Sequence, residues 1–147
     1  MTGKLLPLPE SRHFTHQVVI DYTDLTDTAA VTKTIAINPA SGTNAAGVAV
    51  MNAGFRLDTP FDGASTADLQ ITVGDTDVDR LIPTTQIHED ATEVDYWVTS
   101  HGTATLPYAY TAADTIDIVF TEAAQNLSTL TAGKITIFLA IEDLSSL

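Results

Sequence analysis

Apolar and polar positions alternate most clearly in the last third of the chain. Over 114–121, Ile116, Ile118 and Phe120 recur two residues apart, with Asp117 and Thr121 on the opposite side. Over 134–142, Ile135, Ile137, Leu139 and Ile141 share one face, opposite Thr136, Phe138 and Ala140. Side chains two apart lie on the same face of a strand, so each segment predicts a half-buried strand of an antiparallel sheet. The small-residue stretch 123–133 between them predicts the loop of a closing hairpin, with a helical turn or two at 122–130 as the alternative.

The same period recurs upstream. A strand is predicted over 14–22, with Phe14, His16, Val18, Ile20 and Tyr22 on one face, then a turn at 24–28 and a strand over 31–38. A loop of small residues at 40–47 leads to an extended segment at 48–58, where Asn52-Ala53-Gly54 signals a bulge, and then to a turn at 59–65. Leu69, Ile71 and Val73 align in a strand over 67–74, followed by a polar loop at 75–80. Pro83 cannot donate to a ladder, so 81–87 reads as an edge strand. Another strand is predicted over 92–99, with Val94, Tyr96 and Val98 opposite Asp95 and Trp97, and 106–110 leads into the closing pair. Short strands at this spacing predict an all-β fold, a jelly-roll-like antiparallel β-sandwich of about eight strands. The sandwich domain spans 14–147, and residues 1–13 form an extended N-terminal arm. In that arm Pro7 and Pro9 block a helix, while Leu5, Leu6 and Leu8 would be exposed alone. Leu5, Leu6, Pro7, Leu8 and Pro9 are therefore the candidate partner-contact residues.

Composition narrows what this scaffold does. A chain of 147 residues suits one domain with its own core. The lack of cysteine excludes disulfides, thiolate metal sites and a cysteine nucleophile. The net charge of -13, from 19 acidic and 6 basic residues, repels phosphate backbones and anionic membranes. Neither nucleic acid nor membrane is expected as a direct partner, and the charge keeps a concentrated protein soluble. One lysine followed by LLPLP is too short and too proline-broken for a signal peptide, so synthesis as a soluble cytoplasmic protein is expected. Threonine, at about one residue in six, favours strands and places hydroxyls on their outer faces.

Candidate chemistry is sparse. Asp75, Asp77 and Asp79 alternate in one loop and form a candidate Ca²⁺ cluster, since Ca²⁺ takes six to eight oxygen ligands. Arg80 stands where an EF-hand needs glycine and Gln86 where it needs a bidentate Glu, so the competing reading is a solvated acidic turn. Asp21, Asp24 and Asp27 form a second acidic cluster of the same kind. His13 and His16 are spaced to opposite faces of an extended chain, and His88-Glu89-Asp90 reads as a polar surface cluster. No histidine pair has zinc-motif spacing, and no nucleophile elbow or phosphate loop occurs, so no cofactor and no enzymatic activity are expected. Tyr96, Trp97, Tyr108 and Tyr110 read either as a sugar-binding platform or as core and interface aromatics.

Two stretches carry a family resemblance. PYAYTAADTIDIVFTEAAQNLSTLTAGKITIFLAI (107–141) and DLQITVGDTDVDRLIPTTQIHEDATEV (68–94) resemble the small β-sandwich virion structural proteins of tailed bacteriophages, of the capsid decoration or cement type. The shared features are a YTAADTIDIVFT-like strand, an NLSxLTAG loop and last strand, and a strand, acidic turn and T-x-I-H succession. The likeness covers roughly 67–142. It implies a homotrimer that binds the outer surface of the major capsid protein shell, stabilises it, and resides on the capsid exterior of the virion. Two other readings are a phage head fibre, tail or receptor-binding knob protein, and a carbohydrate-binding module.

Overall fold

The computed structural model describes residues 6–7, 14–39, 47–63, 68–88, 98–99 and 106–144. Ten strands form there: β1 (Leu6–Pro7), β2 (His16–Asp21), β3 (Thr32–Ile37), β4 (Val48–Gly63), β5 (Gln70–Gly74), β6 (Ile82–Gln86), β7 (Val98–Thr99), β8 (Tyr108–Ala109), β9 (Ile116–Thr121) and β10 (Leu130–Asp143). They make two sheets. Sheet A runs β1-β2-β10-β4-β7, with β8 also on β4, and sheet B runs β3-β9-β5-β6.

The strand pairs are nested along the chain. β5 pairs with β6, β4 with β7 and β8, β3 with β9, and β2 with β10, every pair antiparallel. That is one long hairpin rolled into two facing sheets, which is the jelly roll expected from strand spacing. The tip of the rolled hairpin is the acidic turn between β5 and β6.

Period-2 alternation then fills the space between the sheets. Ile135, Ile137 and Leu139 of β10, Val18 and Ile20 of β2 and Phe55 of β4 face Ile35 and Ile37 of β3, Ile118 and Phe120 of β9 and Ile71 and Val73 of β5 in one buried cluster. Phe61 of β4 meets Phe120 of β9 with ring centroids 5.9 Å apart, tying the layers together. Each such side chain contributes about 1.5–3 kcal/mol when fully buried. Gly133, at φ +138, lies under the Phe61 ring, where a Cβ would come within 2.2 Å of Cδ1.

Three local expectations are corrected. The closing strands do not form a hairpin with each other, because β9 lies in sheet B and β10 in sheet A. The chain between them crosses the end of the sandwich through a 3-10 turn at Leu127–Thr129, with Leu127 buried. The turn expected at 59–65 is instead strand as far as Gly63. Pro60 is accommodated because Thr59 to Asp62 spans only Lys134 to Ala132, a bulge that spares the ladder the missing N–H. Finally, β10 is buried on both faces: Thr136, Phe138 and Ala140 are as enclosed as the isoleucines opposite them. The segment 92–97 lies outside the described residues, while Val98–Thr99 pairs with β4 as β7.

Candidate functional site

The tip turn brings the first candidate residues together. Asp75 closes β5 and is 3% exposed. Its Oδ1 accepts the Asp77 N–H at 2.9 Å and the Arg80 Nε–H at 2.7 Å. Arg80 also lies 4.0 Å from the Asp77 carboxylate, while Asp79 is half-exposed and takes no part in this pairing. The Asp77 carbonyl accepts the N–H groups of Asp75 and Arg80, so the turn folds back on itself. Gly74 is required there, since a Cβ would sit 2.0 Å from the Asp77 carbonyl oxygen. Alternation along an extended chain does not survive in a turn, so the three carboxylates do not converge. Among the described residues no group of three or more His, Asp or Glu side chains is placed to hold a metal ion.

Arg80 is the residue that the acidic pattern hid. Its guanidinium stacks on Tyr108, 4.4 Å from the ring centroid, and Tyr108 meets Tyr110 edge-on at 5.2 Å. The hydrogen bond to Asp75 raises the Arg80 pKa, and burial followed by the Asp75 charge raises that of Tyr108. Burial also raises the Tyr110 pKa, and its buried hydroxyl has no hydrogen-bond partner among the described residues. This cluster clasps the 106–115 segment to the tip of the roll. Tyr108 therefore carries Arg80 on its face and offers no open platform. Tyr96 and Trp97 lie outside the described residues.

The remaining candidates have local tasks. Asp21 caps the 3-10 turn Tyr22–Asp24, accepting the Thr23 N–H, and Asp24 accepts the Asp21 N–H in return. Asp27 pairs with Lys33, whose hydrogen bond lowers the Asp27 pKa. His88 is buried and bonded to Gln86 Oε1 at 2.9 Å and so is not at the surface as expected, while Glu89 and Asp90 lie outside the described residues. Leu6 and Pro7 pair with Gln17 and His16, extending the edge of sheet A within the same chain. Leu5, Leu8, Pro9 and His13 are outside the described residues.

No protein-family model matches the chain, and no curated protein matches it. Among the described residues no helix is long and apolar enough to cross a membrane.

The two outer sheet surfaces complete the candidate list. On sheet A, Phe138 packs on Phe14 at 5.8 Å and lies under the Arg56 guanidinium at 5.8 Å. Arg56 Nε donates to Asp58 at 2.5 Å, and Thr136 Oγ1 donates to Asp58 Oδ2 at 2.6 Å, so the polar atoms there are engaged within the chain. On sheet B, strand register sets three outward rows: Thr32, Thr121, Gln70 and Gln86; Thr34, Val119 and Thr72; and Ala36, Asp117 and Gly74, the last covered by the tip turn. A shallow groove of about 180 Å³ crosses this face, lined among others by Thr72, Val78, Thr84 and Val119. Sequence reading saw the threonine excess but had no register with which to gather it on one sheet.

Proposed function

We propose that the chain is a bacteriophage virion structural protein, a capsid decoration or cement protein. In this reading it assembles as a homotrimer and stabilises the outer surface of the major capsid protein shell. The observation that carries it is where the resembling stretches fall. The 68–94 likeness contains β5, the acidic tip, β6 and the Thr85-Gln86-Ile87-His88 run. The 107–141 likeness contains β8, β9 and most of β10, the returning limb of the roll. Together they contain both inner strands of sheet B, β9 and β5, and most of β10 at the middle of sheet A.

Three further features support the reading. Double-sheet jelly rolls recur in viral capsid domains, although they also serve lectins and cupins. A charge of -13 suits an exterior position facing away from packaged DNA. Leu6 and Pro7 of the arm pair along the edge of sheet A, and in this reading the arm residues Leu5, Leu6, Pro7, Leu8 and Pro9 are the ones that would contact the shell or a neighbouring copy.

Copy number tests this directly. Quantitative mass spectrometry of purified virions should find the chain in proportion to the major capsid protein. A few copies per particle, as for a tail or vertex component, would overturn the capsid reading.

A further inference from the structure

We infer that the outer face of sheet B is the surface through which copies of this chain contact one another. The inference deepens the capsid reading, on which its trimeric form rests, but the surface argument is separate. Two copies each carrying -13 repel wherever acidic surfaces approach. The three outward rows of sheet B hold one formal charge, Asp117, whose Oδ1 already accepts the Thr115 hydroxyl at 2.7 Å. The middle row, Thr34, Val119 and Thr72, holds none. At the rim, Asp68 Oδ1 is engaged by the side chains of Gln70 and Gln86 at 3.2 and 3.1 Å.

The chemistry selects the same chain as occupant. A hydroxyl both donates and accepts, so a threonine-rich face is complementary to a copy of itself, whereas the few carboxylates in and around this face, Asp117 and Asp68, are already engaged within the chain and offer little to a basic partner. The face also carries a projection and a hollow side by side. Val78 is 52% exposed, among the most exposed large apolar side chains described, and it borders the groove beside Val119. Four strands about 4.8 Å apart and about six residues long make a patch of roughly 400 Å². That is about half of what one partner buries in a standard interface, so a weak, concentration-dependent association is expected.

Sedimentation velocity on the purified full chain over a concentration series tests this. The probe variant is Val119→Glu. The control is Val19→Glu, which adds the same charge on the outer side of sheet A, where Val19 is 38% exposed. Circular dichroism and thermal melts establish that each variant is folded, and Thr72→Glu replaces Val119→Glu if the latter is not. The expected result is reversible self-association of the wild type and of Val19→Glu, with association weakened about tenfold or more in Val119→Glu. A monomeric wild type, or unchanged association of folded Val119→Glu and Thr72→Glu, overturns the inference. Co-sedimentation with undecorated shells separates the two ideas: self-association without shell binding sinks the capsid reading alone, and shell binding by a monomer sinks this inference alone.

Discussion

On the outer side of sheet A, Phe138 is held between Phe14 and Arg56, and Thr136 donates to Asp58. On the outer side of sheet B, Val119 stands between Thr34 and Thr72, partly covered, with Val78 of the tip turn bordering the same groove. Both sheets face the same core and both place an apolar residue at the centre of their outer surface. The difference is in what the chain supplies to cover it. Sheet A receives the segment entering β2: Thr15 N donates to the Leu139 carbonyl, and Thr15 Oγ1 accepts from the Ile141 N–H at 2.8 Å, laying Phe14 over β10. On sheet B the tip turn folds back over Gly74 and sets Val78 beside Val119, leaving the groove between them open. Sheet A is thus covered by its own chain, and sheet B keeps an open groove on its outer face.

Several substitutions would break or sharpen that contrast. The largest effect is expected for Gly133→Ala, which forces a Cβ into the Phe61 ring at a positive φ and so disturbs the layer that both sheets share. Strain and overpacking together predict a loss of about 4 kcal/mol in chemical denaturation. Next comes a matched pair. Phe138→Ala should cost about 3 kcal/mol, as for a core phenylalanine, and Val119→Ala under about 1 kcal/mol, as for a surface residue. Equal losses in urea melts would show that the two outer faces are alike.

Removing Arg80 by Arg80→Ala leaves Asp75 without its cation at the tip of sheet B. Arg80 is a quarter exposed, so water offsets part of the loss, and about 2 kcal/mol is expected. Added Ca²⁺ should not restore the melting temperature if the carboxylates stay apart as described. The smallest effect concerns sheet A alone. Burial lowers the His16 pKa from its ordinary 6.5, so the unfolded chain binds the proton more tightly. Stability should therefore be flat above about pH 6.5 and fall as pH drops below it, and His16→Gln should remove that component of the pH profile.

The same contrast shows what could be read without coordinates. Ile116, Ile118 and Phe120 alternate with Asp117 and Thr121, and β9 is buried on one face as that pattern demands. In β10 the alternation is real, but Phe138 and Ala140 on the second face are buried too, a consequence of Phe14, which is contributed from more than a hundred residues away. The nesting of β2 with β10 and of β3 with β9 follows from tertiary pairing, for which a single strand carries no label, so the closing segments looked like a hairpin. At the tip, the alternation of Asp75, Asp77 and Asp79 suits cation ligands on sequence alone. The residue that answers Asp75 is Arg80, brought round by a turn whose tightness depends on Gly74. The threonine face was visible only as composition until register placed Thr34, Val119 and Thr72 in one row.

The outer face of sheet B is the proposed surface of contact between copies. Hydroxyl-radical footprinting of the purified chain, below and above its association range, reads this at the side chains themselves. Val119 and Val78 should lose reactivity as the chain associates, while Val19 keeps its own. Undiminished reactivity of Val119 in the associated state, or protection of Val19 in its place, would contradict it.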